Sequence, residues 1–470
     1  MTLSLGQTIL VWYSGVVLIF FFAINSYFLG LTVAGFYRAL RVFRQVRRAD
    51  QRRLLRSPLT PPVSVLAPAF NEEATVVENV RSLLSLDYPL FEVVLVNDGS
   101  QDGTLGRLVE AFDLKQSPRT FEHALRCKSI RGIYESPTRP NLVVVDKVNG
   151  GRADALNAGL NLSLYPLFCA VDADSVLAPD ALLRLVRPFI DAPGITIAVG
   201  GVIGVANGCD IHRAPEVRLP SRPLPLIQIL EYLRAFLVGP LGWSTGTNLL
   251  ALLGAFGLFD KQAVIMAGGH ATDSVGENME LLVRMHRHRR EQHLPYHIGF
   301  IPDSICWTQA PESLRALRHQ RANSQRGLME TLLRHRGMIG RPRYGRVGMV
   351  ALPGFLLFEL ISPLVELSGY LLLPLLWVNG ILSLSLASTF FVVSVLYVAL
   401  ISVLAVLLED LAFRRYSRIG DLARLLLAAV LENFGFRQLT AWWRVQAFAE
   451  YLRGDLSWSA MERRGVVGTA

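Results

Sequence analysis

Asp98, Asp172 and Asp174 each follow a short run of apolar residues, "FEVVLVND" at 91–98 and "LFCAVDAD" at 167–174. Carboxylates at the exits of buried strands offer two kinds of chemistry. Asp98 could grip a base or a ribose. Asp172 and Asp174, spaced i, i+2, would face opposite ways in extended backbone. Where the chain turns out of the strand, both can approach one bound ion. Hard oxygen ligands, with water and phosphate completing the shell, suit Mg2+ or Mn2+, and such an ion would neutralise a departing diphosphate. The plainer alternative is that one of the pair caps the following helix. Between these clusters "DKVNGGRADALNAGL" (146–160) supplies Lys147, a Gly-Gly turn, Arg152 and Asp154 ahead of a helix start. Backbone N–H groups, the helix dipole and cations can together hold an anion there. No Walker A sequence occurs and no G-x-G-x-x-G follows the first strand, so nucleotide hydrolysis and dinucleotide redox chemistry recede.

The elements that must position these groups are legible as short Val/Ile/Leu runs separated by helix-period segments. "VSVLAP" (63–68), "FEVVLVND", "NLVVVDK" (141–147), "LFCAVDAD" and "ITIAVGG" (195–201) alternate with helices such as "NEEATVVENVRSLLSL". Continuous apolar strands between helices argue for a mostly parallel sheet covered on both faces, a doubly wound α/β domain over 62–345. In such sheets ligands bind at the carboxyl ends of the strands, where the three polar clusters fall.

The 470-residue chain is 51% hydrophobic and only 18% charged, and the apolar excess is concentrated. Residues 1–37 and 367–408 contain no Asp, Glu, Lys or Arg, and each run exceeds the ~20 residues that cross a bilayer core. The first reads as a retained signal-anchor helix rather than a cleaved signal peptide. Residues 38–61 form a basic neck with eight arginines from Arg38 to Arg56, the cytoplasmic flank of the positive-inside rule. No aromatic residues interleave with them in a base-stacking pattern, so a nucleic-acid partner is not expected; the net charge of +9 has the same topological explanation. Residues 346–450 hold further transmembrane or interfacial helices, with Glu359 and Glu366 inside one of them and 422–449 read as a fourth span or an interfacial helix; 451–470 form a tail. The four cysteines are isolated, with neither zinc-ligand spacing nor a disulfide framework. "RMHRHRREQH" (284–293) reads as a solvated helix face.

Residues 62–330 resemble the cytoplasmic GT-A domain (Rossmann-like, mostly parallel sheet) of membrane-embedded family 2 glycosyltransferases, the synthases of cellulose, hyaluronan and poly-N-acetylglucosamine among them. The resemblance is carried by "PAFNEEATVVENVRSLLSLDYPLFEVVLVNDGSQDGT", "NGGRADALNAGL", "AVDADS", "GAFGLF" (254–259), "GENMELLVRMHR" and "QRANSQRG" (320–327). It implies a nucleotide-diphosphate sugar donor, a divalent ion, a glycan or glycolipid acceptor, an export or synthase partner, and a multi-pass protein of the inner (plasma) membrane. On the same ground Asp98 would contact the uracil or ribose side, Lys147 and Arg152 the donor phosphates, and Asp172 and Asp174 the metal-diphosphate. Gly254 and Phe256 would line the acceptor side.

Two departures bear on activity. The family's general base is the aspartate of a Glu-Asp pair; here Glu277 is followed by Asn278, and a carboxamide cannot take the acceptor's proton. Glu277 could substitute only by turning into the site; Asp273 and Glu280 are further candidates. The family's Gln-x-x-Arg-Trp motif, aligned on Gln320 and Arg321, becomes Asn323-Ser324, which offers neither a fixed cation nor a stacking face. The rival expectation is therefore a catalytically impaired pseudo-glycosyltransferase, a nucleotide-sugar-binding scaffold or receptor subunit.

Overall fold

The computed structural model describes residues 4–46, 57, 60–172, 175–207, 219–238, 256–412, 416 and 418–454. Asp174 and Gly254, the neck residues 47–56 and the tail from 455 lie outside the described residues.

Among the described residues ten strands form one sheet: β1 (Val63–Ala69), β2 (Phe91–Asn97), β3 (Lys115–Gln116), β4 (Ile130–Glu135), β5 (Leu142–Lys147), β6 (Leu167–Val171), β7 (Val176–Leu177), β8 (Thr196–Val205), β9 (Phe256–Asp260) and β10 (His297–Thr308). Their order is β3-β4-β5-β2-β1-β6-β9-β8-β10-β7. The central block β5-β2-β1-β6 is parallel, as the apolar runs imply, and its residues are almost all buried. The chain builds outward from β1 through β2 to β5, then returns to add β6 on β1's other side. That reversal opens a crevice at the carboxyl ends of β1 and β6. The mixed part of the sheet was not read from the sequence. In particular the described part of "GAFGLF" belongs to the strand Phe256–Asp260, which pairs antiparallel with both β6 and β8.

The helices packed on the sheet are α2 (Val76–Leu84), α3 (Thr104–Phe112), α4 (Arg152–Leu162), α5 (Ala181–Asp191), α6 (Pro223–Tyr232), α7 (Lys261–Met266) and α8 (Glu277–Glu291); α9 (Leu314–Arg334) packs against α8 and the helices that follow it, and α1 (Leu5–Val46) precedes them all. Helix α4 is buried over nearly its whole length, which its small residues permit: Gly159 packs onto Leu66 and Val96 of β1 and β2. Helix α8 begins where Gly276 meets Gly327 of α9 backbone to backbone; a Cβ on Gly276 would lie 2.6 Å from the Gly327 carbonyl oxygen. The expectation of a solvated face for 284–293 fails at His286, which is fully buried and 2.9 Å from the Tyr296 hydroxyl.

Among the described residues, three helices are long and apolar enough to cross a membrane: residues 5–37 of α1, α10 (Val347–Val378) and α11 (Leu384–Leu411). Helix α10 widens into π turns at Val347–Ala351 and Phe355–Ile361, next to Pro353 and Pro363, the usual response to a missing N–H. Val17, Phe21 and Ile24 of α1 pack with Leu372 and Leu376 of α10 and Phe390 of α11. Ile9, Trp12, Val16, Ile19 and Phe22 face outward, a stripe suited to lipid. The stretch 422–449 is not one helix. It breaks into α12 (Ile419–Leu431) and α13 (Phe436–Leu452) at Gly435, whose φ is +93°, and neither is counted among the spans. The two glutamates of α10 are paired: Glu366 with Arg437 and Glu359 with Arg444 (3.5 Å), both arginines on α13. Arg444 also donates to Gln325 of α9 (2.8 Å). These pairs tie α13 to α10 and α9.

Candidate active site

The loop after β5 is built around Asp98. Its carboxylate accepts bonds from the Gly150 and Gly151 N–H groups (3.0 and 2.7 Å) and from Lys147 Nζ (2.5 Å), while Asn149 Nδ2 bonds its carbonyl. Gly151 holds φ +88°, and a Cβ on Gly99 would lie 2.6 Å from Asn149 N, so the two turns interlock through glycine. Lys147 is fully buried, its ammonium shared between Asp98 and Asp154 (2.5 Å each). Asp98 and Lys147 are thus brought together, but as a buried pair that shapes the turn ahead of α4 and not as groups open to a donor. The β1 exit is latched similarly, with Gln101 N donating to Asn71 Oδ1 (2.8 Å) and Glu72 N to Thr104 Oγ1 (2.9 Å).

Arg152, at the start of α4, points across the crevice. Its Nε donates to Asp172 Oδ1 (2.6 Å), and its Nη1 bonds Glu277 Oε1 and Asn278 Oδ1 (3.3 Å). One guanidinium therefore joins the β6 exit to the start of α8, as the fixed planar fork of arginine allows. Burial opposes its charge, but the Asp172 and Glu277 carboxylates outweigh that and strengthen its hold on the proton. Glu277 is itself buried, and burial pushes its carboxyl above the ordinary range, partly offset by Arg152. Its second oxygen, Oε2, has no hydrogen-bond partner.

Sequence reasoning missed His270. It lies behind Glu277 with Nδ1 4.0 Å from Oε2, and neither ring nitrogen has a hydrogen-bond partner. Its backbone is clamped by Asn157 of α4, which donates to the His270 carbonyl (2.9 Å) and accepts from its N–H (2.8 Å). Burial, with Arg152 and Arg284 nearby, pulls the imidazole down to about 3, so it is neutral. A histidine in "GGHATD" carries no periodic signal that could have marked it.

The other candidates separate from this group. Asp273 is exposed and paired with Arg334 (3.0 Å). Glu280 is buried with Arg284 (2.7 Å) and His335 (3.2 Å); burial opposes its charge, but bonds from those two residues hold its carboxyl down to about 2. Neither suits a proton acceptor. Phe256 is buried in the core below the sheet, opposite Val171, not at an open acceptor face. On α9, Gln320 Oε1 is buried without a partner, Arg321 pairs with Glu231, Asn323 is buried and exposed Ser324 bonds the Gln320 carbonyl (2.9 Å).

No group of three or more potential metal-ligating side chains occurs among the described residues. Mg2+ or Mn2+ in a phosphate-binding site commonly takes only one or two carboxylates, the remainder coming from substrate and water. Asp172, with Asp174 two residues on, fits that donor set, with Arg152 already sharing the Asp172 carboxylate.

This sheet order, with carboxylates gathered at the crevice beside β1, defines a GT-A fold carried with membrane-type helices. Residues 64–124 and 128–232 match the family model described as Glycosyl transferase family 2, and residues 233–408 match Glycosyl transferase family group 2. The chain belongs to the family 2 glycosyltransferases. It is 29% identical over 275 residues to the poly-beta-1,6-N-acetyl-D-glucosamine synthase of Staphylococcus epidermidis, covering 58% of this chain and 56% of that protein. It is 27% identical over the same length to the synthase of Staphylococcus aureus. The matched region spans little more than half the length of these curated relatives. The mannosyltransferase of Pyrobaculum calidifontis, solved in complex with GDP-Man and Mn2+, shares the fold with a TM-score of 0.50 and 19% identity, covering 88% of this chain and 99% of that one.

Proposed function

We propose that the protein transfers a sugar from a nucleotide-diphosphate donor to a glycan or glycolipid at the membrane, with Glu277 as the proton acceptor in place of Asn278. The observation that carries this is Glu277 Oε2: a buried carboxylate oxygen at the crevice without a partner, on a group whose proton affinity burial has raised. A base is most effective when its pKa approaches the working pH. Inverting transfer requires the acceptor hydroxyl to lose its proton as the diphosphate departs. Glu277 would take that proton, Arg152 would keep its carboxylate oriented through Oε1, and His270 would back Oε2. The Gly150-Gly151 turn, whose N–H groups Asp98 holds, sets the start of α4, and the first N–H groups of that helix would face the donor diphosphate. Asp172 and Asp174 would hold Mg2+ or Mn2+, whose charge offsets that of the leaving diphosphate. The apolar helices support a multi-pass membrane protein with the GT-A domain on the cytoplasmic side, as the arginine-rich stretch that follows the apolar part of α1 favours.

A second reading, nucleotide-sugar binding without turnover, is favoured by the Arg152 bridge itself, which engages both Asp172 and Glu277. The full chain in detergent with Mn2+ and a panel of UDP- and GDP-sugars separates the two. Release of nucleoside diphosphate supports transfer. Binding without release supports the scaffold, and failure of any nucleotide to bind removes the donor site altogether.

A further inference from the structure

Residues 334–346, "RHRGMIGRPRYGR", join α9 to the membrane helix α10 and contain five arginines, one histidine and no acid. Topology alone would favour cations at this place, but it would not fold them into a cavity. One of about 80 Å3 opens between this segment and α8, lined by Arg287, His335, Gly337, Met338, Arg341 and Tyr344. The segment is fitted closely to α8: a Cβ on Gly345, at φ +58°, would lie 3.2 Å from the Arg290 guanidinium. His335 is only 3% exposed. Its Nε2 is committed to Glu280 at 3.2 Å, whereas Nδ1 is buried without a hydrogen-bond partner. A buried polar atom left so is unfavourable, and here it belongs to a side chain on the cavity wall. Arg341 is exposed and forms no ion pair among the described residues. The carboxylate at the rim, Glu291, is already held by Arg287 Nε and the Tyr344 hydroxyl, both at 2.9 Å.

Two guanidinium groups around a buried, half-satisfied imidazole match a phosphate oxygen set. Val347, three residues after Tyr344, begins the apolar helix, so a ligand here sits at headgroup level. We propose that this cavity binds a phosphate group at the membrane surface, that of an anionic phospholipid, with Arg287 and Arg341 as cationic contacts and with His335 bound as the imidazolium, its Nε2–H on Glu280 and its Nδ1–H the buried donor to phosphate. It is a lipid site of defined stoichiometry, distinct from the crevice, and stands whichever reading of the crevice holds.

The test uses the full chain in nanodiscs of phosphatidylcholine with a minority of phosphatidylglycerol, followed by native mass spectrometry of retained lipid. Wild type should retain one phosphatidylglycerol, and Arg341→Gln and His335→Gln should each weaken retention about fivefold. Arg343→Gln, an equal loss of charge outside the cavity, should retain lipid as wild type does. Undiminished retention in Arg341→Gln, or an equal loss in Arg343→Gln, overturns the site in favour of diffuse attraction. Inorganic phosphate added to the protein in pure phosphatidylcholine discs distinguishes the source. If it stabilises wild type but not Arg341→Gln, and displaces phosphatidylglycerol, the lipid assignment fails and free phosphate is the ligand.

Discussion

Arg152 and Glu277 stand 125 positions apart in the chain and meet side chain to side chain across the crevice, with Asp172 on the other arm of the same guanidinium. This bridge fixes the start of α8 against the exit of β6. Arg152→Met should leave Glu277 buried and unpaired, at a cost of about 3 kcal/mol. The expected outcome is a lower thermal midpoint in detergent, followed by tryptophan fluorescence, with Arg152→Lys falling between the variant and wild type.

The Glu280 cluster sets an acid limit on stability. Its carboxyl is held down to about 2 in the folded protein, below the unfolded value of about 4.3. Its contribution is therefore complete above that unfolded value and is lost as pH falls from there towards 2. Glu280→Gln should lower stability at neutral pH by about 3 kcal/mol and flatten the loss between pH 5 and pH 3, measured by unfolding midpoints across that range.

The contact of Gly276 with Gly327 leaves no room for a methyl group. Gly276→Ala should force α8 from α9 and cost about 2 kcal/mol. Because Glu277 is the next residue, sugar transfer should fall more steeply than the loss of folded protein accounts for, with nucleotide binding less affected.

In the helical region the Glu366–Arg437 pair can be tested as a cycle. Either Glu366→Leu or Arg437→Met alone strands a buried charge and should cost about 3 kcal/mol, whereas the double variant should recover most of that loss. Additive losses would mean the two residues act separately; stability of the purified chain in one detergent is the measurement.

What was legible in the sequence follows from periodicity. The parallel block and its polar exits could be read because β1, β2, β5 and β6 are continuous apolar runs closed by Asp or Asn. Strand β9 could not, since "GAFGLF" gains its pairing only from β6 and β8, which are distant in sequence. The role of Arg152 was visible as a cation near a turn, but its partners Asp172 and Glu277 were not, because ion pairing across a crevice leaves no spacing signal. His270 and His286 were opaque for the same reason: each is defined by burial against other elements. The break at Gly435 was hidden by apolar residues on both sides, which made 422–449 resemble one helix.

The central claim is that Glu277 takes the proton that Asn278 cannot. Single-turnover release of nucleoside diphosphate by the full chain, saturated with donor and acceptor, tests it most directly. Glu277→Gln should reduce the rate by about 10²-fold or more while leaving donor affinity within a few-fold of wild type, and Asn278→Asp should raise it. Wild-type turnover unchanged in Glu277→Gln would contradict the account, as would tight donor binding with no turnover in either wild type or Asn278→Asp.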